Sequence, residues 1–265
     1  GFYGYLLEFA DLAEDAGHLG LHRLMRSPDV DFIMTPSSYY RRELKGGQST
    51  FRLPVLSLAL HRKMLWNDFD PASFKFYDRA KELEQWKGQL AVTDTPEEFT
   101  WMIRRELGNA LANGVNVAHF DLHGGYYEDP RILECIGQEA QLRKDASIRD
   151  RTSSAQVLFL VDEDSFHYVT FRNTILRRVL VEQVAEMAFV APYDVLLLSD
   201  LAIADLDRYR FVIVLNAFNL DDAQRSLLRE SERDGRHILW LYAPGYFSSG
   251  PEPGGAEADS STPGT

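Results

Sequence analysis

The chain reads as an α/β protein built from parallel strands, with a partial (β/α)8 barrel followed by a flavodoxin-like doubly wound sheet. Three observations predict this. Apolar runs of strand length alternate with segments of helical periodicity along most of the chain. One helix start, at Thr95-Pro96-Glu97-Glu98, leads through an amphipathic helix into a strand with almost no loop. The alternation then begins afresh after a polar stretch near residue 150, at Val157-Leu158-Phe159-Leu160-Val161.

In the first unit, strands are expected near 2–8, 30–35, 63–68 and 115–121 as the last four strands of a barrel, with helices between them. Thr95 offers an N-cap, Pro96 the first helical position and Glu98 the third residue of a capping box. Phe99, Met102, Ile103, Leu107, Ala110 and Leu111 fall on one face at helical spacing, and Asn113-Gly114 supplies the stop. Pro130 opens a further helix whose predicted buried side is Ile132, Leu133, Ile136 and Ala140. Arg149 to Ala155 is polar and is taken as the boundary, giving a first domain over 1–150.

The second domain is expected over 156–247. Val157–Val161 is apolar throughout, as a strand buried on both faces requires. A helix over about 170–189 follows, then strands at Val195–Leu198, Phe211–Leu215 and Ile238–Tyr242, with a helix near 221–234 before the last. Residues 248–265 are rich in Gly, Pro, Ser and acids and are predicted to be disordered.

Composition excludes several functions. Among 265 residues, 28 Lys and Arg face 40 Asp and Glu, a net charge of −12. A nucleic-acid surface needs clustered basic residues; here the pairs Arg41-Arg42, Arg104-Arg105 and Arg177-Arg178 are scattered among acids and read as solvated faces. A single cysteine, Cys135, forbids an internal disulfide and reads as a small buried apolar residue. No apolar run approaches the roughly 20 residues of a membrane span. A cytoplasmic location is expected, with no membrane partner. The opening from Gly1 already reads as a strand, so upstream sequence is expected to be missing. The His residues show no paired metal-ligand spacing, and no metal or cofactor is predicted.

Functional groups of a βα barrel sit at the C-terminal ends of its strands. Those ends carry Glu8; Thr35 to Tyr39; Asn67, Asp68 and Asp70; and Asp121 with His123. Acids, hydroxyls and aromatics are what glycoside hydrolysis needs: two carboxyl groups across the scissile bond and partners around the sugar. Each also has a plain structural reading. Asp68 and Asp70 could cap a helix or form salt bridges, Glu8 could pair with Arg42, and His18 could cap or pack. Trp66, inside a strand, reads as core, although it and Tyr126 could stack on a sugar.

Phe2-Tyr3-Gly4-Tyr5 with Glu8, Ala16-Gly17-His18-Leu19, Ser27 to Phe32, and Pro36-Ser37-Ser38-Tyr39 with Arg42 resemble the later barrel strands of family 42 glycoside hydrolases. His61 to Asp70 resembles the family's segment "His-Gly-Lys, apolar strand, Glu-x-Asp", and Phe120 to Tyr127 its last strand. Val161 to Ser165, Tyr193-Asp194, Ser199 to Leu201, Leu215 to Phe218 and Trp240 to Tyr246 are similar to the amidotransferase-like domain that follows the barrel. The resemblance covers about residues 1–247. It implies a β-galactosidase-like, retaining hydrolysis of a β-glycoside. The nucleophile falls at Asp68, where the family carries Glu, and Arg62 replaces the family's Gly. It implies an acid/base residue before Gly1, so that this chain alone is inactive. Glu8, Tyr39, Asp70, Asp121, His123 and Tyr126 would bind the carbohydrate substrate. The second domain has no Cys for amidotransferase chemistry; the resemblance implies a role in assembling a homo-oligomer such as a trimer. The other reading is a non-catalytic carbohydrate-binding or oligomerisation protein with a degenerate barrel.

Overall fold

The computed structural model describes residues 7–10, 13–76, 90–170, 174–232 and 235–247. Its strands form two sheets, both entirely parallel. The first has the order β1-β2-β3, with β1 Phe32–Pro36, β2 Met64–Phe69 and β3 Asn116–His119. The second has the order β5-β4-β6-β7, with β4 Val157–Val161, β5 Tyr193–Leu197, β6 Phe211–Val214 and β7 His237–Trp240. Strands after β4 are added first on one side of it and then on the other, the order of a doubly wound sheet. The expected strand at 2–8 lies mostly outside the described residues, and residues 7–10 form a turn. The predicted tail at 248–265 lies wholly outside them.

Helices α1 (Leu21–Arg26), α2 (Val55–Leu60), α3 (Pro96–Asn113) and α4 (Pro130–Ala146) belong to the first half of the chain. Thr95 caps α3 as expected, its hydroxyl accepting from Glu98 N–H. The returning Glu98 carboxylate takes Asp94 N–H at 3.0 Å, one residue before the cap. Gly114 ends α3 at φ 68°, a left-handed conformation that favours glycine. The buried side of α4 differs from expectation. Ile132, Cys135 and Glu139 face inward, whereas Leu133 and Ala140 are exposed. Glu139 belongs to that stripe because it meets His119 Nε2 at 2.6 Å, a contact no hydrophobic pattern contains.

In the second half, α5 runs through Thr174–Leu176, a π-helical stretch Arg177–Glu182 and Gln183–Met187; α6 is Asp222–Ser231. A 3-10 turn, Leu198–Ile203, follows β5. Phe159 and Val161 of β4 join Leu176, Leu180 and Val184 of α5 in one core. Leu158 and Leu160 pack with Leu201, Val212 and Leu228 in another. Both faces of β4 are therefore covered, and all five of its residues are buried.

Among the described residues, the first sheet is covered on one side only. Ile33, Leu65, Phe69 and Val117 pack against Phe99, Met102 and Ile103 of α3 and Ile132 of α4. The alternate residues of the same strands look outward: Phe32, Met64 and Trp66 are 40%, 45% and 38% exposed. Trp66 is thus not core; its ring lies against Phe32 with centroids 5.4 Å apart, on an open sheet face.

The halves are joined by contacts distant in sequence. The Glu163 carboxylate accepts from Leu21 N–H at 2.6 Å and His22 N–H at 3.1 Å, capping α1, and meets His22 Nδ1 at 2.7 Å. Buried Asp200 takes His61 Nε2 at 2.8 Å and Arg26 at 3.3 Å. Ser57 Oγ of α2 accepts from Leu197 N–H at 2.8 Å, satisfying a donor on edge strand β5.

Candidate active site

The alternation of β2 decides which side chains reach the strand tips. Asp68 shares the face of Met64 and Trp66, while Asn67 and Phe69 point toward the helices. Pro36 lies beside Asp68 in register, and Ser37 N–H donates to the Asp68 carbonyl at 3.0 Å. Just past the strand stands Asp70, 3% exposed.

Asp70 and Glu8 are both committed to cations and to Tyr39. Asp70 accepts from Arg42 at 2.6 Å and from the Tyr39 hydroxyl at 2.8 Å. Glu8 accepts Tyr39 N–H on its two oxygens at 2.9 and 2.8 Å and pairs with Arg52 at 3.1 Å. The Tyr39 ring has two guanidiniums close to it, Arg42 at 4.2 Å and Arg52 at 4.0 Å from its centroid. Burial and the Asp70 charge push the Tyr39 hydroxyl up to about 12. Two expectations change here. Glu8 pairs with Arg52 rather than Arg42, and Arg42, taken for a solvated residue, is 2% exposed. The reason is Asp70, a buried charge that needs a buried partner. Arg41 next to it remains on the surface and meets Glu186.

Asp68 is in a different state. Its carboxyl is pushed up to about 6, chiefly by burial and next by repulsion from Asp70, against the pull of Arg52 and His119. Its side chain is buried, and Oδ1 has no hydrogen-bond partner among the described residues. Two neighbouring carboxyls are therefore held differently, Asp70 by an ion pair and Asp68 without one.

The loop after β3 contributes the remaining candidates. Asp121 accepts Tyr126 N–H at 3.4 and 3.3 Å. His123 Nδ1 meets the Tyr126 hydroxyl at 2.6 Å, and its ring stands edge-on to Phe76. Tyr126 is fully buried, so its ring is a scaffold and not a sugar platform; burial, then Asp121 and Asp70, push its hydroxyl up to about 12. Tyr127 donates to the Phe69 carbonyl at 3.3 Å, and its hydroxyl is raised by burial and by Asp121, Asp68 and Asp70 together. Asp68 and Asp121 both act on the Tyr127 hydroxyl. Sequence reasoning missed Arg52 and the His119–Glu139 pair; only the acid tips themselves hinted that buried cations must meet them.

Among the described residues no group of three or more His, Cys, Asp or Glu side chains is arranged to hold a metal ion. Nor is any helix among the described residues long and apolar enough to cross a membrane. Open cavities of about 790, 350 and 360 Å3 lie away from Asp68, Asp70 and Asp121.

Fold and site together describe a parallel βα protein with acidic strand tips. No family model matches the chain, and no curated protein matches it in sequence. In structure it is similar to a catalytic mutant of a GH42 β-galactosidase from G. stearothermophilus, with a TM-score of 0.41, 18% identity, and coverage of 57% of this chain and 24% of that one. It is also similar to β-galactosidase from Bacillus circulans sp. alkalophilus (TM-score 0.42, 16% identity, coverage 92% and 39%). A third likeness is to β-galactosidase from the psychrophilic Marinomonas ef1 (TM-score 0.47, 10% identity, coverage 82% and 40%). The chain spans between 24% and 40% of the length of these structures. The family to which the sequence bears a resemblance is among them.

Proposed function

We propose that this chain is part of a retaining glycosidase acting on a β-galactoside or related β-glycoside, with Asp68 in the place of the nucleophile. One observation carries the reading: of the acidic tips, Asp68 alone has a buried carboxyl oxygen without a partner, while Glu8, Asp70 and Asp121 are engaged. An Oδ of Asp68 would bond to the anomeric carbon as the glycosidic bond breaks. A second carboxyl would protonate the leaving oxygen and then deprotonate the water that releases the sugar. Because the other tips are engaged, that carboxyl comes from outside this set. A segment covering the open face of the first sheet would bring it, and these residues alone are inactive. Glu8, Tyr39, Asp70, Asp121 and His123 would hold sugar hydroxyls or keep the tips in place. The second sheet would serve assembly of a homo-oligomer, and the protein would work in the cytoplasm.

Asp68→Asn and Asp68→Glu in the complete protein, assayed on aryl β-galactosides, test this. Asn should abolish turnover, and Glu should keep or raise it. If the unmodified protein turns over no aryl glycoside, or neither change alters its rate, the reading fails.

A second reading, a non-catalytic carbohydrate-binding or oligomerisation protein, is favoured by the 5% exposure of Asp68. It predicts sugar binding or assembly unchanged in both variants.

A further inference from the structure

The cavity of about 790 Å3 lies at the opposite pole from the acidic tips. Three of its walls are segments entering strands at their N-terminal ends. Asn113 leads into β3, Thr152 to Ser154 lead into β4, and Ala191 with Pro192 leads into β5. The fourth is the stretch containing Ser49 and Phe51. The volume is that of a small-molecule site, about 300–1,000 Å3.

The chemistry of the walls is uneven. Asn113 Nδ2 donates to Asn109 Oδ1 at 3.0 Å, Asn109 Nδ2 donates to Ser49 Oγ at 2.9 Å, and Ser49 Oγ donates to buried Glu106 at 2.7 Å. This chain of bonds fixes the polar wall in place. Phe51, Phe189 and Tyr193 supply aromatic surface. Arg149 and Arg151 line the same space, and neither makes a side-chain hydrogen bond or ion pair among the described residues. The carboxylate between them, Asp150, is turned to Thr152, accepting from its N–H at 2.8 Å and its hydroxyl at 2.6 Å. The Arg151 guanidinium instead lies beside Gly114, 3.5 Å from where a Cβ would stand. In a chain of net charge −12, two guanidiniums without carboxylate partners on one cavity are an anion's complement.

We infer that this cavity binds a small organic anion: a phosphate or carboxylate head set against Arg149 and Arg151, and a ring set against the aromatic floor. Its ligand would touch α3, the segment between the sheets and the start of β5 at once, so binding would tie the two halves together. The inference is independent of chemistry at Asp68.

Calorimetric titration of the whole chain with glucose 6-phosphate and with glucuronate tests it, with glucose as the neutral control and inorganic phosphate as the head group alone. At least one ring-bearing anion should bind at least tenfold more tightly than glucose and inorganic phosphate. The arm that binds identifies the head group. The double variant Arg149→Ala, Arg151→Ala should weaken that binding at least tenfold while keeping the unliganded melting temperature and circular dichroism. Asp68→Asn should leave it unchanged, which separates this site from the acidic tips. No binding by either anion, equal binding of glucose, or binding unaffected by the double variant overturns the proposal. If the double variant melts early, Arg151→Lys must weaken binding with the fold intact, or the proposal falls.

Discussion

The two sheets are built alike and finished differently. The second is covered on both faces, and every residue of β4 is buried. The first is covered by helices on one face and leaves Phe32, Met64 and Trp66 partly exposed on the other. Parallel sheets are almost always buried on both faces, so the first holds in reserve the apolar area that the second has already used for stability. Its acidic tips carry buried ion pairs in place of apolar contact.

This difference sets the sizes of mutational effects. Phe159→Ala in β4 should cost about 3–5 kcal/mol by denaturant unfolding, whereas Trp66→Ala in β2 should cost under about 1 kcal/mol, the range of surface substitutions. Equal losses would erase the contrast between the sheets. Arg42→Ala should cost about 3 kcal/mol or more, because Asp70 then keeps only its Tyr39 hydrogen bond in a buried place. A small loss there would mean that the ion pairs contribute little at the tips.

Asp68→Asn should raise stability by about 1–2 kcal/mol at pH 7, since a carboxyl held near 6 is ionised there against its environment. The sign follows from proton counting. The folded form keeps its proton up to about 6, while the unfolded carboxyl loses it near about 3.9. Stability from this group therefore falls as pH rises from about 4 to 6, and the Asn variant should show a flatter melting temperature across that window. Asp162, also pushed up to about 6 by burial, would remain as a background in the same window. Asp221→Ala, which removes the capping box of α6, should cost about 1 kcal/mol by thermal melting.

The same contrast explains what the sequence discloses. Val157–Val161 is legible because a strand covered on both faces must be apolar at every position, and α3 is legible because its cap, its proline and its glycine are local signals. Trp66 is misread because an apolar residue in a strand looks like core, yet its burial depends on what lies across the sheet face. Arg42 is misread for the mirror reason: its partner Asp70 is 28 residues away, and only folding brings them together. At the candidate site the strand tips are foreseen in position, whereas their pairing is not. Glu8 chooses Arg52, and Asp70 has an ion pair with Arg42 while Asp68 is left to burial and to repulsion from Asp70.

The Glu163 cap on α1 and the Ser57 bond to β5 join residues 142 and 140 positions apart. Neither depends on the short segment that connects the sheets. A protease that nicks the backbone between 149 and 154 should therefore yield two pieces that still co-elute as a single particle, held together without a covalent link.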